Sequence, residues 1–474
     1  MKKRDFSVLG QGVIKSILDK SALTRYSIDR ERVHNALNRK SAEDLVEISQ
    51  YFFHNSGEYR RLVEYFAGIL TNDFLVLPQG AEEDMEGDRF TEAFAEILDY
   101  TERSNIKETS REIALSVVRD GAYFGYERDL NGQITMQTLP SNYCRSRFKI
   151  MGVYAVEFDY SFFAQYRGED LEEVLSAFPD EFRQGYLDYI RDRQNNRWQI
   201  LNPEYARAHM LNNKIPFLSP VFLDLIELEE YKRIHKTKAK LDIYKIIVQK
   251  IPLNRDGELT FELNELEDFH KNLRKMVSED AVDVATTVCD VDSIDLQDKA
   301  QSVRDDIEQA TNIIYSTAGT PMALFNSASS GSIALKESIK VDESIMLPLL
   351  QQYERWYKNK FSTISSEYNF KIIFPPITHY NRKEMMELYT KGASQGFPTK
   401  LLTMASLGIN QSDMDSLLNY ENNILKSQEK MIPTSSSYNS PMDEGGRPQS
   451  DEPLSDEGDK TRDGNKNENR AKGD

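Results

Sequence analysis

Two helix-forming stretches, residues 219–241 and 299–320, stand on either side of a short segment of different character, and that arrangement limits what the chain can build. The first reads Ser219-Pro220 and then VFLDLIELEEYKRIHKTKAK, with Ser at a position suited to an N-cap and Pro at the first helical position. Glu227, Glu229 and Glu230 precede Lys232, Arg233, Lys236, Lys238 and Lys240, the order that the helix macrodipole favours. At 1.5 Å per residue this rod is roughly 30 Å long. Its apolar side is broad at Val221, Phe222, Leu225 and Leu228 and thins out after Ile234, so its far half needs a partner helix or water beside it. The second rod, Lys299 to Ala318, gathers Val303, Ile307, Ala310 and Ile314 and is closed by Gly319, with Pro321 just beyond.

The segment between the rods starts as IYKIIVQKIPLN, a β-branched run ended by Pro252, and turns at Asn254, Arg255, Asp256 and Gly257. A helix from Asn264 to Val277 and a second strand, VDVATTVCDV, complete a small strand-helix-strand insert. Two antiparallel rods joined by such an insert must project it away from the body, which makes it a docking surface.

After the second rod the chain thins to small polar residues, NSASSGS, with few rotamers to lose and little to bury, and this reads as a loop. A helix from Ile333 to Phe361 follows, with Leu335, Ile339, Ile345, Leu349, Tyr353 and Trp356 near one face and Pro348 expected to kink it. The strand FKIIF stops at Pro375-Pro376, and helices at 381–394, 399–406 and 411–426 end the folded part. From Pro433 onward almost nothing apolar offsets the entropy of ordering, so the acidic segment 431–474 is read as disordered.

Apolar spacing predicts helices at Ser41–His54, Ser56–Leu70, Thr91–Tyr100 and Ser110–Asp120, the last stopped by Gly121. Asn131-Gly132 supplies the positive φ angles of a type I′ turn between alternating flanks, hence a β-hairpin. The run Val153–Phe163 is read as extending that hairpin, and Asp170–Ile190 as a return to helix. The fold class is therefore α+β, predominantly helical.

Asp plus Glu number 77 against 59 Lys plus Arg, a net charge of −18, so the surface as a whole repels a phosphate backbone. A broad nucleic-acid grip is excluded; letting DNA slide past at a few contacts is not. No apolar run reaches the roughly 18 to 20 residues of a membrane span, and Met1-Lys2-Lys3-Arg4 lacks the apolar core of a leader behind it, so no membrane contact is expected. Two cysteines, Cys144 and Cys289, fit a reducing compartment.

Usual enzyme signatures are missing. No phosphate-cradling Gly-x-x-x-x-Gly-Lys is present, and Gly10-Gln-Gly12 lacks the third glycine and the preceding strand of a dinucleotide site. The six histidines show no i, i+4 pair, so neither a metal nor a cofactor is expected. The group Asp290, Asp292, Asp295 and Asp298 has the chemistry of a Mg²⁺-dependent nuclease, and an acidic turn before a helix is the preferred reading of it. Trp356 and Tyr357 are read as packing residues rather than a base-stacking platform.

The order of these parts resembles the portal proteins of tailed double-stranded-DNA bacteriophages. The resemblance rests on the Ser219-Pro220 helix, the step from Lys245 to Pro252, the αβ insert, the returning helix with its closure Gly319-Thr-Pro-Met-Ala-Leu-Phe325, the Ser/Gly loop, the long helix from Ile333 and the acidic tail. It implies a ring of subunits, most often twelve, around a central tunnel. The wing would span 1–218 and be joined by the long helix and strand of 333–376. Stem would be 219–241 and 299–320, clip 242–298, tunnel loop 321–332, and crown 377–430. Phe325, Asn326, Ser327, Ala328, Ser329, Ser330, Gly331 and Ser332 would face the DNA, and these mostly uncharged groups would let phosphates slide past. Lys232, Lys236 and Lys240 would form a basic stem face, for which an ordinary solvated or salt-bridging face is the plainer reading. The clip turn Asn254, Arg255, Asp256 and Gly257 would dock a partner.

The implied function is non-enzymatic: a portal at one capsid vertex of the virion that nucleates head assembly and passes DNA in and out. Its implied partners are further copies of itself, the large terminase subunit, a head-tail adaptor, and the major capsid and scaffolding proteins. A carboxylate-dependent nuclease at Asp290–Asp298 and a helical structural adaptor stay open as alternatives.

Overall fold

The computed structural model describes residues 28–80, 85, 87–243, 245–250, 265, 267, 268, 271, 282–287, 300–325 and 332–426. The acidic tail 431–474, the turn 254–257, the aspartates 290–298 and loop residues 326–331 lie outside them. The chain divides into two compact units, 1–414 and 415–474.

Three short helices open the described chain: α1 (Arg30–Arg39), α2 (Ala42–Asn55) and α3 (Gly57–Ala67). Each begins where a short polar side chain accepts from a free helical N–H: Asp29 from Arg32 N, Ser41 from Asp44 N, Ser56 from Tyr59 N. The stripe Tyr59, Leu62, Val63 and Phe66 is buried as its spacing requires. Strand β1 (Leu75–Gln79), α4 (Asp88–Arg103) and α5 (Ile106–Asp120) follow. Both later helices start earlier than the apolar spacing indicates, with Phe90 and Ile106 of their first turns packed on the core.

Gly121, at φ +78°, ends α5 and leads straight into β2 (Ala122–Leu130). The hairpin of β2 with β3 (Gln133–Thr138) turns at Asn131 and Gly132 with φ of 57° and 85°, as the dipeptide predicts. Its third strand corrects an expectation. Residues 153–163 do not extend the hairpin; β9 (Ala206–Met210) does, antiparallel to β2. The run instead splits into β6 (Val153–Tyr154), paired with β5 (Lys149–Ile150), then β7 (Glu157–Asp159) and a 3-10 turn, Tyr160–Gln165. β7 lies between β4 (Cys144–Arg145) and β8 (Trp198–Ile200). The single helix read over 170–190 is two, α6 (Glu169–Ser176) and α7 (Asp180–Arg191), divided at Phe178-Pro179 because Pro disfavours the α conformation in the residue before it. Around these elements Phe158, Phe163, Phe178 and Phe182 fill a second core.

The first rod begins with a 3-10 turn, Ser219–Val221, and continues as α8 (Phe222–Ile243). Leu218, not Ser219, holds the cap position, one residue earlier than the sequence suggested. β10 (Lys245–Lys250) and β11 (Val282–Thr287) pair in parallel, as a strand-helix-strand unit demands. The second rod is α9 (Ala300–Ala318), followed by Gly319 at φ +76°. The long helix α10 (Ser332–Ile364) runs on through Pro348, and strand β12 (Asn369–Ile373) pairs antiparallel with β1. Short helices α11 (Arg382–Ser394), α12 (Lys400–Ser406) and α13 (Gln411–Asn419) come last, with a π turn at Tyr420–Ile424.

The main core joins α2, α3 and α5 to α10, with Phe52, Phe66, Val117, Leu349, Tyr353, Trp356 and Phe361 all buried. Within it Lys360 on α10 pairs at 2.7 Å with Glu127 on β2, and Tyr100 donates to the same carboxylate at 2.6 Å. Thus α10 is fastened to the hairpin sheet by charge as well as by packing.

Candidate functional site

Among the described side chains, the two rods enter the main core at their body-proximal turns, with Tyr231 and Ile307 half-buried against it farther out. On α8, Phe222, Leu225, Ile226 and Leu228 enter the main core; on α9, Ala310, Ile314 and Tyr315 do. From Glu229 through Thr237 no side chain of α8 is buried, and from Asp306 through Gln309 none of α9 is. Ile234 and Ile313 are exposed by 53% and 42%. The strand pair β10–β11 lies at the unrooted end in chain order, after α8 and before α9.

Along the rods lies a groove of about 110 Å³ lined by Asp224, Glu227 and Tyr231 of α8 and Asp306, Gln309, Ala310 and Ile313 of α9. Three of its lining side chains, Asp224, Glu227 and Asp306, are carboxylates, beside the apolar Ala310 and Ile313. Asp224 Oδ2 is shut off from solvent with no hydrogen-bond partner among the described residues. Glu227 reaches Arg30 of α1 at 3.4 Å, both side chains being well exposed.

The basic residues of α8 do not form one free face. Lys232 donates to Glu58 of α3 at 2.6 Å. Burial alone would raise the Glu58 carboxyl, but the Lys232 hydrogen bond and charge outweigh it and hold Glu58 below its ordinary value. Burial raises the Glu229 carboxyl, against the pull of Lys232. Lys232 is therefore a strut between the rod and the helical body. Lys236 is exposed with no ion pair among the described residues; the side chain of Lys240 lies outside them.

The chain leaving α9 is pinned before it enters residues 326–331. Phe325 stacks on Tyr315 at 4.7 Å with 8° between the planes and meets Tyr65 edge-on at 5.6 Å. The Arg61 guanidinium stands 5.5 Å from the same ring. Phe325 is half-buried among these groups. Sequence reading placed it in the loop and missed this, because Tyr65 and Arg61 lie about 260 residues away in the chain. Of the remaining loop residues, Asn326, Ser327, Ala328, Ser329, Ser330 and Gly331 lie outside the described residues, and Ser332 is the first residue of α10. The turn Asn254–Gly257 also lies outside them.

No group of three metal-ligating side chains occurs among the described residues. Cys144 is buried, and burial pushes its thiol far above the ordinary range, which leaves no nucleophilic thiolate. His209 is fully buried, and burial together with the Arg207 charge keeps it neutral. Trp356 and Tyr357 are 1% exposed and serve packing. No helix among the described residues is long and apolar enough to cross a membrane.

No family model matches the chain, and no curated protein does. Among solved structures, it is similar to a chain from the neck of an empty GTA particle computed with C6 symmetry, with TM-score 0.42 and 12% identity over 75% of this chain and 94% of that one. It is similar also to a chain from the virion of the native gene transfer agent (GTA) particle, with TM-score 0.40 and 11% identity over 75% of this chain and 90% of that one.

Proposed function

We propose that the chain is a ring-forming connector of the portal type, a non-enzymatic virion component whose assembled channel passes double-stranded DNA. One observation carries this reading: the rods α8 and α9 are buried at their roots, while no described side chain from Glu229 to Thr237 or from Asp306 to Gln309 is fully buried, with two exposed isoleucines and an acidic groove between the rods. Rods of this kind hide their apolar side chains only when another surface lies against them. The insert between the rods would then project as the docking site for a terminase motor and later a head-tail adaptor. The loop of residues 326–331, entered past the Phe325 anchor, would edge the channel. Capsid and scaffolding proteins would meet the ring from outside, at one vertex of the particle. A net charge of −18 on each copy suits a channel that DNA slides through without sticking.

Negative-stain microscopy of the purified chain is the test. Annular particles with a central hole are expected, with twelve subunits the first count to fit; a monodisperse monomer at every concentration would refute the reading. Replacing 326–331 by bulky or charged residues should impair DNA translocation while rings still form, and normal packaging by that variant would remove the loop from the channel.

A further inference from the structure

The rod α8 carries opposite charge on opposite sides. Asp224 and Arg233 are nine residues apart, as are Glu227 and Lys236, and nine residues are about two and a half helical turns. The groove side of α8 therefore presents Asp224 and Glu227, joined by Asp306 of α9 and lined further by Tyr231, Ala310 and Ile313. The far side presents Arg233 and Lys236, both exposed, with Glu229 one turn nearer the root as the exception.

We infer that the groove between α8 and α9 receives Arg233 and Lys236 of a second copy of this chain, so that neighbours join head to tail along their rods. The inference rests on the ring-forming reading and deepens it by naming the two faces that meet. Long basic side chains suit the groove, since their aliphatic stems cover the exposed Ile313 while their charged ends reach Glu227 and Asp306. A two-fold pair cannot satisfy both faces, because they point away from each other; a head-to-tail contact can, and it repeats until it closes as a ring or continues as a filament.

The experiment uses the full chain and reads assembly by sedimentation and negative-stain microscopy. One variant carries Arg233→Glu and Lys236→Glu; another carries Glu227→Lys and Asp306→Lys. All four side chains are at least partly exposed, so the fold, checked by circular dichroism, tolerates the changes. Each variant alone is expected to self-associate on the order of a hundredfold more weakly than wild type, through like charges brought face to face. An equimolar mixture of the two should recover rings, since each reversed face then meets its complement on the other variant. A variant that had lost its fold could not be rescued by mixing. Unweakened assembly of either variant alone, or a mixture that stays dissociated, overturns the inference. Rings in wild type and in both separate variants would reject only these two faces, whereas no ring in wild type would reject the ring-forming reading itself.

Discussion

Arg207 is fully buried beside His209 on strand β9, and its surroundings explain how a charge is kept inside. Its guanidinium stands 4.2 Å from the Trp356 ring and 5.0 Å from that of Tyr357, and its Nε donates to His209 Nε2 at 2.9 Å. Aromatic faces replace the carboxylate that such a group usually requires. His209 must stay neutral to accept that hydrogen bond. Burial, then the Arg207 charge, lowers its affinity for a proton; burial and Arg382 do the same at His379. Above the ordinary histidine range both folded and unfolded chains are neutral at these sites and nothing is lost. Below it the unfolded chain binds protons that the folded chain does not, so stability falls as pH falls through about 6.5. Urea denaturation between pH 8 and pH 5 should show this decline, and His209→Asn should flatten its slope. Gly121 is a second point of constraint: at φ +78° an added Cβ would sit 2.4 Å from the Ile215 carbonyl carbon. Gly121→Ala should cost at least about 1–3 kcal/mol, read as a lower melting temperature.

Among the elements, α10 is the one the rest is built around. It was recognisable from Leu335, Ile339, Ile345, Leu349, Tyr353 and Trp356, and Ile339, Leu349, Tyr353 and Trp356 are buried while Leu335 and Ile345 are half-buried. Its later turns carry the densest packing, with Trp356 Nε1 donating to the Ala206 carbonyl at 3.2 Å. Trp356→Ala should cost about 3–5 kcal/mol, seen as a large drop in the urea midpoint at unchanged slope. The strut from α8 to α3 behaves differently, because Lys232 and Glu58 are partly in water. Lys232→Ala should shift stability by less than about 1 kcal/mol in the same measurement, and a larger shift would mean the strut is more than a surface ion pair.

For the whole molecule, the acidic segment from Pro433 to Asp474 is expected to add charge without contributing to assembly. Deleting it should leave sedimentation and the appearance of rings unchanged, and loss of rings on truncation would show that the segment holds subunits together. The connector reading depends on the contrast between a deeply packed body and rods in which no side chain from Glu229 to Thr237 or from Asp306 to Gln309 is fully buried. A chain that worked alone would have little reason to leave Ile313 in water in an acidic groove and Ile234 in water on the same rod pair.

Local signals in the sequence determined a great deal: the helix starts at Ser41 and Ser56, the hairpin at Asn131-Gly132, the stop at Gly121, the two rods, and the apolar stripe of α10. Each is settled by residues within a turn or two of one another, where propensity and periodicity act directly. Tertiary structure decided what distant segments supply. β9 closes the hairpin sheet from about 70 residues away, Leu75 to Gln79 becomes a strand by pairing with residues 369–373, and Phe325 is held by Tyr65 and Arg61. Such contacts are chosen by which surfaces meet in space, and short stretches like ARAHM or LVLPQ carry too few residues to announce a partner they have not yet met.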